Sequence, residues 1–333
     1  RLPSYRGDLF FQRSIEWLYW VKPSWFLASE AIILFYTWAL IGFNQLISYL
    51  KFPLLAQVIL VCLFGLLPQT IIWTSEPLKE SLQLFGFIWL LLITIQLLDN
   101  NIPVRKATTL ICLISLGLIV LHKATAAIIL LLFSAWIMLF ADLSNQKKLT
   151  HALIIIISLG TLAILPVWDG QAPIALLRDA LIHFHAFSKD FVGNTNFPDA
   201  IQFYPANPSW ITFITHTVKQ FAYYVFGPFP PEWVQHGQIS VKMILLSAYA
   251  WVRLAIMATI VWHARRMTPV IKRRFWLFGS SYLIITAVFS LGAFNYGQAL
   301  RHHTQTDWML WILFALLWYN APLKNKGIHN GRL

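Results

Sequence analysis

The chain has 333 residues, of which 58% are hydrophobic and 11% charged, with a mean hydropathy of +0.63. That balance lies outside the range of water-soluble globular domains and predicts a polytopic membrane protein. Lys and Arg number 25 against 13 Asp and Glu, and a net charge of +12 built from so few charges belongs in short loops rather than on a broad basic face, which argues against nucleic acid as a partner.

The first residue is Arg1 rather than Met, which predicts further sequence upstream. Residues 1–24 read as a stretch on the outer face. A spanning helix needs about 20 mostly apolar residues, fewer inside a bundle. Nine runs fit: Trp25 to Leu50, Pro53 to Trp73, Ser81 to Leu98, Ala107 to Leu121, Ala124 to Ala141, Thr150 to Val167, Val241 to His263, Phe275 to Leu291 and Trp308 to Asn320. Cys62 and Cys112 lie inside such runs, where a thiol behaves as a small hydrophobe, so neither a disulfide framework nor a thiolate metal site is expected.

Between the sixth and seventh runs, Trp168 to Ser240 is polar and rich in proline and reads as a large outer loop. Within it, Ala172 to His185 places Ile174, Leu177, Leu181 and Phe184 on one helical face, as in a helix lying on a membrane surface. Trp210 to Phe226 is a second aromatic-rich segment, and a tenth helix, re-entrant or spanning, is the alternative there. The predicted fold is therefore all-α: a polytopic transmembrane bundle of about nine to ten helices with one large outer loop containing amphipathic helices. Its regions are the outer N-terminal stretch 1–24, a six-helix membrane region 25–167, the periplasmic loop 168–240, a three-helix membrane region 241–320 and a cytoplasmic tail 321–333.

Lys and Arg are retained on the cytoplasmic side of short loops. Placing the Arg265, Arg266, Lys272, Arg273, Arg274 cluster inside also puts Lys51, Arg105 with Lys106, Lys147 with Lys148, and the C-terminal tail inside. The outer loops left over hold the polar residues that need a reason. In Thr74 to Ser81, Ser75 and Pro77 suit a helix entry, and Glu76 and Glu80 suit its positive end. Capping alone explains that shape, and the functional reading adds a phosphate cradle with Lys79. In Phe294 to His303, Arg301 is the only full positive charge; its planar fork matches phosphate oxygens, while an interfacial anchor is the plain alternative. His302 and His303 stand beside it as donors or proton acceptors, with Tyr296 in the same loop. His122 and Lys123 form a turn so short that both lie at the membrane surface, and snorkelling accounts for them equally. Glu30, near the outer end of the first run, is a candidate carboxylate or a solvated helix end.

Two longer segments carry a resemblance. Phe64-Gly65-Leu66-Leu67-Pro68 followed by Ile72-Trp73-Thr74-Ser75-Glu76-Pro77-Leu78-Lys79-Glu80 resembles a segment of bacterial polytopic glycosyltransferases of the GT-C type. Leu121-His122, Tyr224, Phe226-Gly227-Pro228-Phe229-Pro230 and Leu291 to His303 follow the order of motifs in envelope-polysaccharide proteins of that kind. The resemblance covers most of the chain. It implies transfer of a sugar from a polyprenyl-phosphate carrier to a glycan or lipid acceptor on the outer face of the bacterial cytoplasmic membrane, with the C-terminus cytoplasmic. It also implies an outer-loop carboxylate as base. Asp8 is the only Asp in the stretch where that loop would fall, and Glu30, a few residues into the first run, is the other catalytic candidate. Glu76, Lys79, Glu80, His122, Lys123, Tyr296, Arg301, His302 and His303 would then bind substrate. A divalent metal ion is compatible with this chemistry and required by none of it. An oligosaccharide polymerase or ligase would use the same residues. A lipid-carrier transporter or a non-enzymatic assembly partner would instead need midplane charges and an inverted repeat, of which the sequence offers few and none.

Overall fold

A computed structural model describes residues 25–66, 80–121, 123–140, 210–229, 234–235, 238–239, 241–264, 267, 269–292 and 302–320. The described residues form helices joined by short turns, with one pair of two-residue antiparallel strands, β1 (Val234–Gln235) and β2 (Gln238–Ile239). Two helical segments, Glu80–Leu98 and Ile244–Ala264, are long and apolar enough to cross a membrane. The chain divides into two compact units, 1–170 and 171–333. The sixth apolar run, the segment 172–185, the N-terminal stretch and the C-terminal tail lie outside the described residues.

The first unit holds α1 (Trp25–Tyr49), α2 (Leu54–Leu66), α3 (Glu80–Leu98), α4 (Val104–Leu121) and α5 (Lys123–Phe140). α3 is its centre, packing against α1, α4 and α5. It is apolar on all sides, and nearly every residue from Glu80 to Leu98 is buried. α1 meets it where Phe35 packs edge-on against Phe85 at 5.7 Å and where Gly42 faces Ile88 and Trp89, while Phe43 stacks on Phe64 of α2 at 4.4 Å. The opposite face of α1 exposes Ile33, Leu34, Trp38 and Ile41. Thr37, Asn44, Gln45 and Ser48 are exposed as well, so the outer surface of α1 is apolar in its first half and more polar toward its end.

One close approach fixes this pair of helices. The Trp89 indole Nε1 donates to the Trp38 carbonyl at 3.3 Å, and a Cβ on Gly42 would lie 2.9 Å from that same nitrogen. Glycine at 42 is thus what lets the indole reach the α1 backbone, in the manner of small residues at membrane helix contacts. Gly42→Val is expected to lower stability by about 1–3 kcal/mol through overpacking. The check is unfolding of the purified protein in micelles, and an unchanged midpoint would show that α1 and α3 do not depend on this contact.

The C-terminal ends of α1 and α3 come together, so these two helices run parallel. Tyr49 donates its hydroxyl to Asp99 at 3.1 Å, and the Asn101 side-chain amide also bonds the Tyr49 hydroxyl. Both helices stop on a left-handed residue, Lys51 (φ 59°) and Asn100 (φ 58°), with Pro53 and Pro103 soon after. Asn101 N–H closes the second stop on the Gln96 carbonyl at 2.9 Å. Lys51, Arg105 and Lys106 consequently collect at one end of the unit.

The second unit holds α6 (Trp210–Phe226), the β1–β2 pair, α7 (Val241–Ala264), α8 (Pro269–Gly292) and α9 (Asp307–Asn320). α9 packs against α7 and α8, and α6 packs against the same two helices. Polarity here is inverted relative to a water-soluble bundle. α7 exposes Leu245, Trp251, Val252, Val261 and Trp262 and buries Ser247 and Arg253; α8 exposes Trp276, Leu283, Ile284 and Val288 and buries Ser281, Thr286 and Ser290.

Candidate functional site

The most polar described interior is in the second unit, around Arg253. This residue is the thirteenth of the 24 in α7, so it sits about 18 Å along the helix from its start. It is 3% exposed. One terminal nitrogen, Nη1, lies 4.0 Å from Asp307 Oδ2, and Nη2 donates to the Val225 carbonyl at the end of α6. The Tyr249 hydroxyl, one turn earlier on α7, donates to the same Asp307 oxygen, and the guanidinium carbon stands 5.6 Å from the Tyr249 ring centre. Tyr224, Tyr282 and His303 are all within electrostatic reach of Arg253. Tyr282 is the fourteenth residue of the 24 in α8, so both long helices contribute from near their midpoints.

The fourth wall is the turn that leads into α9. Gln305 N–H and Thr306 N–H donate to the His302 and His303 carbonyls at 3.1 and 3.0 Å, and Asp307 then opens the helix. His303 Nε2 is 2.9 Å from the Tyr224 carbonyl. A carbonyl can only accept, so Nε2 carries the hydrogen, and in the neutral ring Nδ1 is left as an acceptor. The Tyr224 and His303 rings lie 4.3 Å apart, and Phe289 stacks on His302 at 4.9 Å. Sequence reading puts residues 294–306 in an exposed loop. In the structure His303 to Thr306 are buried, because the turn is enclosed by α6, α7 and α8 rather than resting on them.

Burying Arg253 and Asp307 together is costly in desolvation, and such a pair holds only when its remaining donors and acceptors are met. Here several are not. Arg253 Nε, Asp307 Oδ1, His303 Nδ1, the Tyr224 hydroxyl, Ser281 Oγ, and both side-chain atoms of Gln305 are buried without a hydrogen-bond partner. Gln305 is wholly buried. Native interiors leave few polar groups in that condition, so each of these atoms calls for a partner such as an ordered water or a bound polar group.

The sequence-predicted residues fall differently. Asp8, Glu76, Lys79, His122, Tyr296 and Arg301 lie outside the described residues. Glu30 falls in the early part of α1 and Lys123 opens α5. Glu80 is buried at the start of α3, where a carboxylate suits the positive helix end. Of those among the described residues, His302 and His303 adjoin the Arg253 cluster. Among the described residues, no group of three or more His, Cys, Asp or Glu is arranged to hold a metal ion. Cys62 and Cys112 are free thiols, as their apolar settings predict.

Arg253 is marked by the sequence itself, and Asp307 less so. Arg253 is the only charged residue between Met243 and Trp262, and a single charge centred in a span-length apolar run is a functional candidate by that fact alone. Asp307 lies at the edge of a run, where it reads as an ordinary helix-entry residue. Fold and site together define a helical protein with apolar outward faces and a buried, charge-paired, aromatic centre. Comparison with protein-family models, with curated proteins and with solved structures gives no match for this chain.

Proposed function

We propose that this chain is a multi-pass protein of the bacterial cytoplasmic membrane, a bundle of about nine to ten helices with a cytoplasmic C-terminus. In this reading it acts as a GT-C-like glycosyltransferase, moving a sugar from a polyprenyl-phosphate carrier to a glycan or lipid acceptor in envelope synthesis. The observation that carries the membrane reading is the inverted polarity of the helices. Leu, Ile, Val and Trp face outward on α1, α2, α7 and α8 while Arg253, Asp307 and Gln305 are enclosed. Such a surface is costly in water and costs nothing against lipid tails. The gathering of Lys51, Arg105 and Lys106 at one end of the first unit is consistent with that end being cytoplasmic.

The chemical part of the reading rests on the motif order and on one continuity. The segment that resembles GT-C proteins ends in Arg301, His302 and His303, and its last residue packs into the Arg253–Asp307 centre. Lys79 and Arg301 would hold the carrier phosphate and offset charge on the leaving group. In full-length protein inserted at the normal level, the Lys79→Ala/Arg301→Ala double variant is expected to lose about 100-fold or more of glycolipid or polymer formation. Normal product would remove both residues from the mechanism.

A second reading, a lipid-carrier transporter, gains from the same centre, since a charge pair at the midpoint of a span-length helix is what transport predicts. The product assay separates the two, because a transporter moves the carrier without forming a glycosidic bond.

A further inference from the structure

The turn before α9 has a property the glycosyltransferase reading does not use. α9 has 14 residues, about 21 Å, which is short of the ~30 Å apolar thickness of a bilayer. Its first residue, Asp307, meets Arg253 at the midpoint of α7. The backbone of Thr304 to Thr306, between the helical residues His302 and His303 and the start of α9, is therefore a turn set beside the midpoint of α7. Non-helical backbone at that depth persists only where protein encloses it or where it lines a polar chamber. Broken helices of this kind place ligands at their inner ends.

The chemistry of the enclosed atoms narrows the class of ligand. Arg253 already has Asp307 as its counter-ion, and the positive end of α9 has the same carboxylate in its first turn. A further anion would have to displace or neutralise Asp307. The unsatisfied atoms are instead of both kinds: Arg253 Nε and Gln305 Nε2 donate, Asp307 Oδ1, Gln305 Oε1 and His303 Nδ1 accept, and the Tyr224 hydroxyl does either. Aromatic rings from Tyr224, Tyr249 and Tyr282 stand among them. Mixed donors and acceptors at near-neutral net charge, beside aromatic surface, match an uncharged polyhydroxylated molecule.

We propose that the His302–Asp307 turn, with Arg253 opposite, forms a binding site inside the second unit for a neutral saccharide, with Gln305 as the residue that reads its hydroxyls. The choice of a saccharide over other polyols rests on the glycosyltransferase reading, and the enclosure of the turn within a bilayer rests on the membrane reading. Phosphate of the carrier is held elsewhere, by residues outside this turn.

The test uses the full chain in lipid nanodiscs, probed by saturation-transfer NMR with a panel of neutral hexoses and N-acetylhexosamines and, separately, inorganic phosphate. Saturable saccharide binding is expected in the native protein, weakened about tenfold or more in Gln305→Leu, the loss of roughly one good hydrogen bond. Gln305→Leu is apolar and of similar volume, and the Gln305 side chain has no hydrogen-bond partner to lose, so the thermal midpoint should be equal to or above that of the native protein. A merely structural Gln305 would show the opposite, a lowered midpoint with binding unchanged. Binding of phosphate in place of sugar at this turn, or no saturable saccharide binding at all, overturns the proposal. Sugar binding in a protein that forms no glycosidic product keeps this site and removes the transferase reading.

Discussion

Arg253→Met is expected to lower the stability of the purified protein by about 3–5 kcal/mol, the largest effect of any single substitution considered for this chain. The reason is the carboxylate left behind. Asp307 is 3% exposed, and its Oδ2 is held by Tyr249 and the guanidinium, while Oδ1 has no protein partner. Without Arg253 that charge would be enclosed and uncompensated, and the Val225 carbonyl would lose its donor as well. The compensating experiment is Arg253→Met with Asp307→Leu. Removing both charges should restore most of the loss, because an apolar pair of similar volume avoids the desolvation cost altogether. Thermal or detergent unfolding in micelles reads both variants. A single variant as stable as the native protein, or a double variant no better than the single, would show that the pair is solvated and contributes little.

Val252→Lys is expected to cost about 2.5–3.5 kcal/mol in membrane insertion, the typical penalty for a charge near the centre of a spanning helix. Val252 is the sequence neighbour of Arg253 and lies on the opposite side of the exposure boundary, 52% exposed against 3%. The two predictions together separate lipid from water. A lysine at an exposed position of a water-facing helix would change stability by no more than about 0.5 kcal/mol. Translocon insertion of the α7 segment, scored by the fraction of chains that span, measures the difference directly. Unaltered insertion of Val252→Lys would place this face against water or protein and remove the membrane reading of α7.

Much of the local structure was legible in the sequence, and specific residues show why. The apolar runs mark helices at α1, α3, α7, α8 and α9 because length and hydropathy are properties of a segment alone. Lys51 with Pro53 and Asn100 with Pro103 mark the ends of α1 and α3 for the same local reason. Trp210 to Phe226 is a helix, and sequence reading left open whether it lies on the surface or spans. Its inner end, Tyr224 and Val225, is part of the buried centre.

The candidate site was less legible. Sequence reading ranked charges by loop, which gave weight to Arg301 and Lys79 and passed over Arg253, hidden in an apolar run. Burial of Gln305 cannot be seen in a polar stretch such as His-His-Thr-Gln-Thr-Asp, whose composition matches any exposed turn. Gly42 is likewise unremarkable until Trp89 is placed against it.

By itself, the sequence determined the apolar runs, the helices that most of them form and the residues that end α1 and α3. Those follow from transfer free energies and short-range backbone preferences, which each segment carries with it. Only the tertiary structure decided that α9 begins beside the midpoint of α7, that Asp307 there becomes the partner of Arg253, and that Gln305 is enclosed. Residues 54 positions apart meet through the packing of α7 against α9, and such an encounter is a property of the assembled bundle that no single segment encodes.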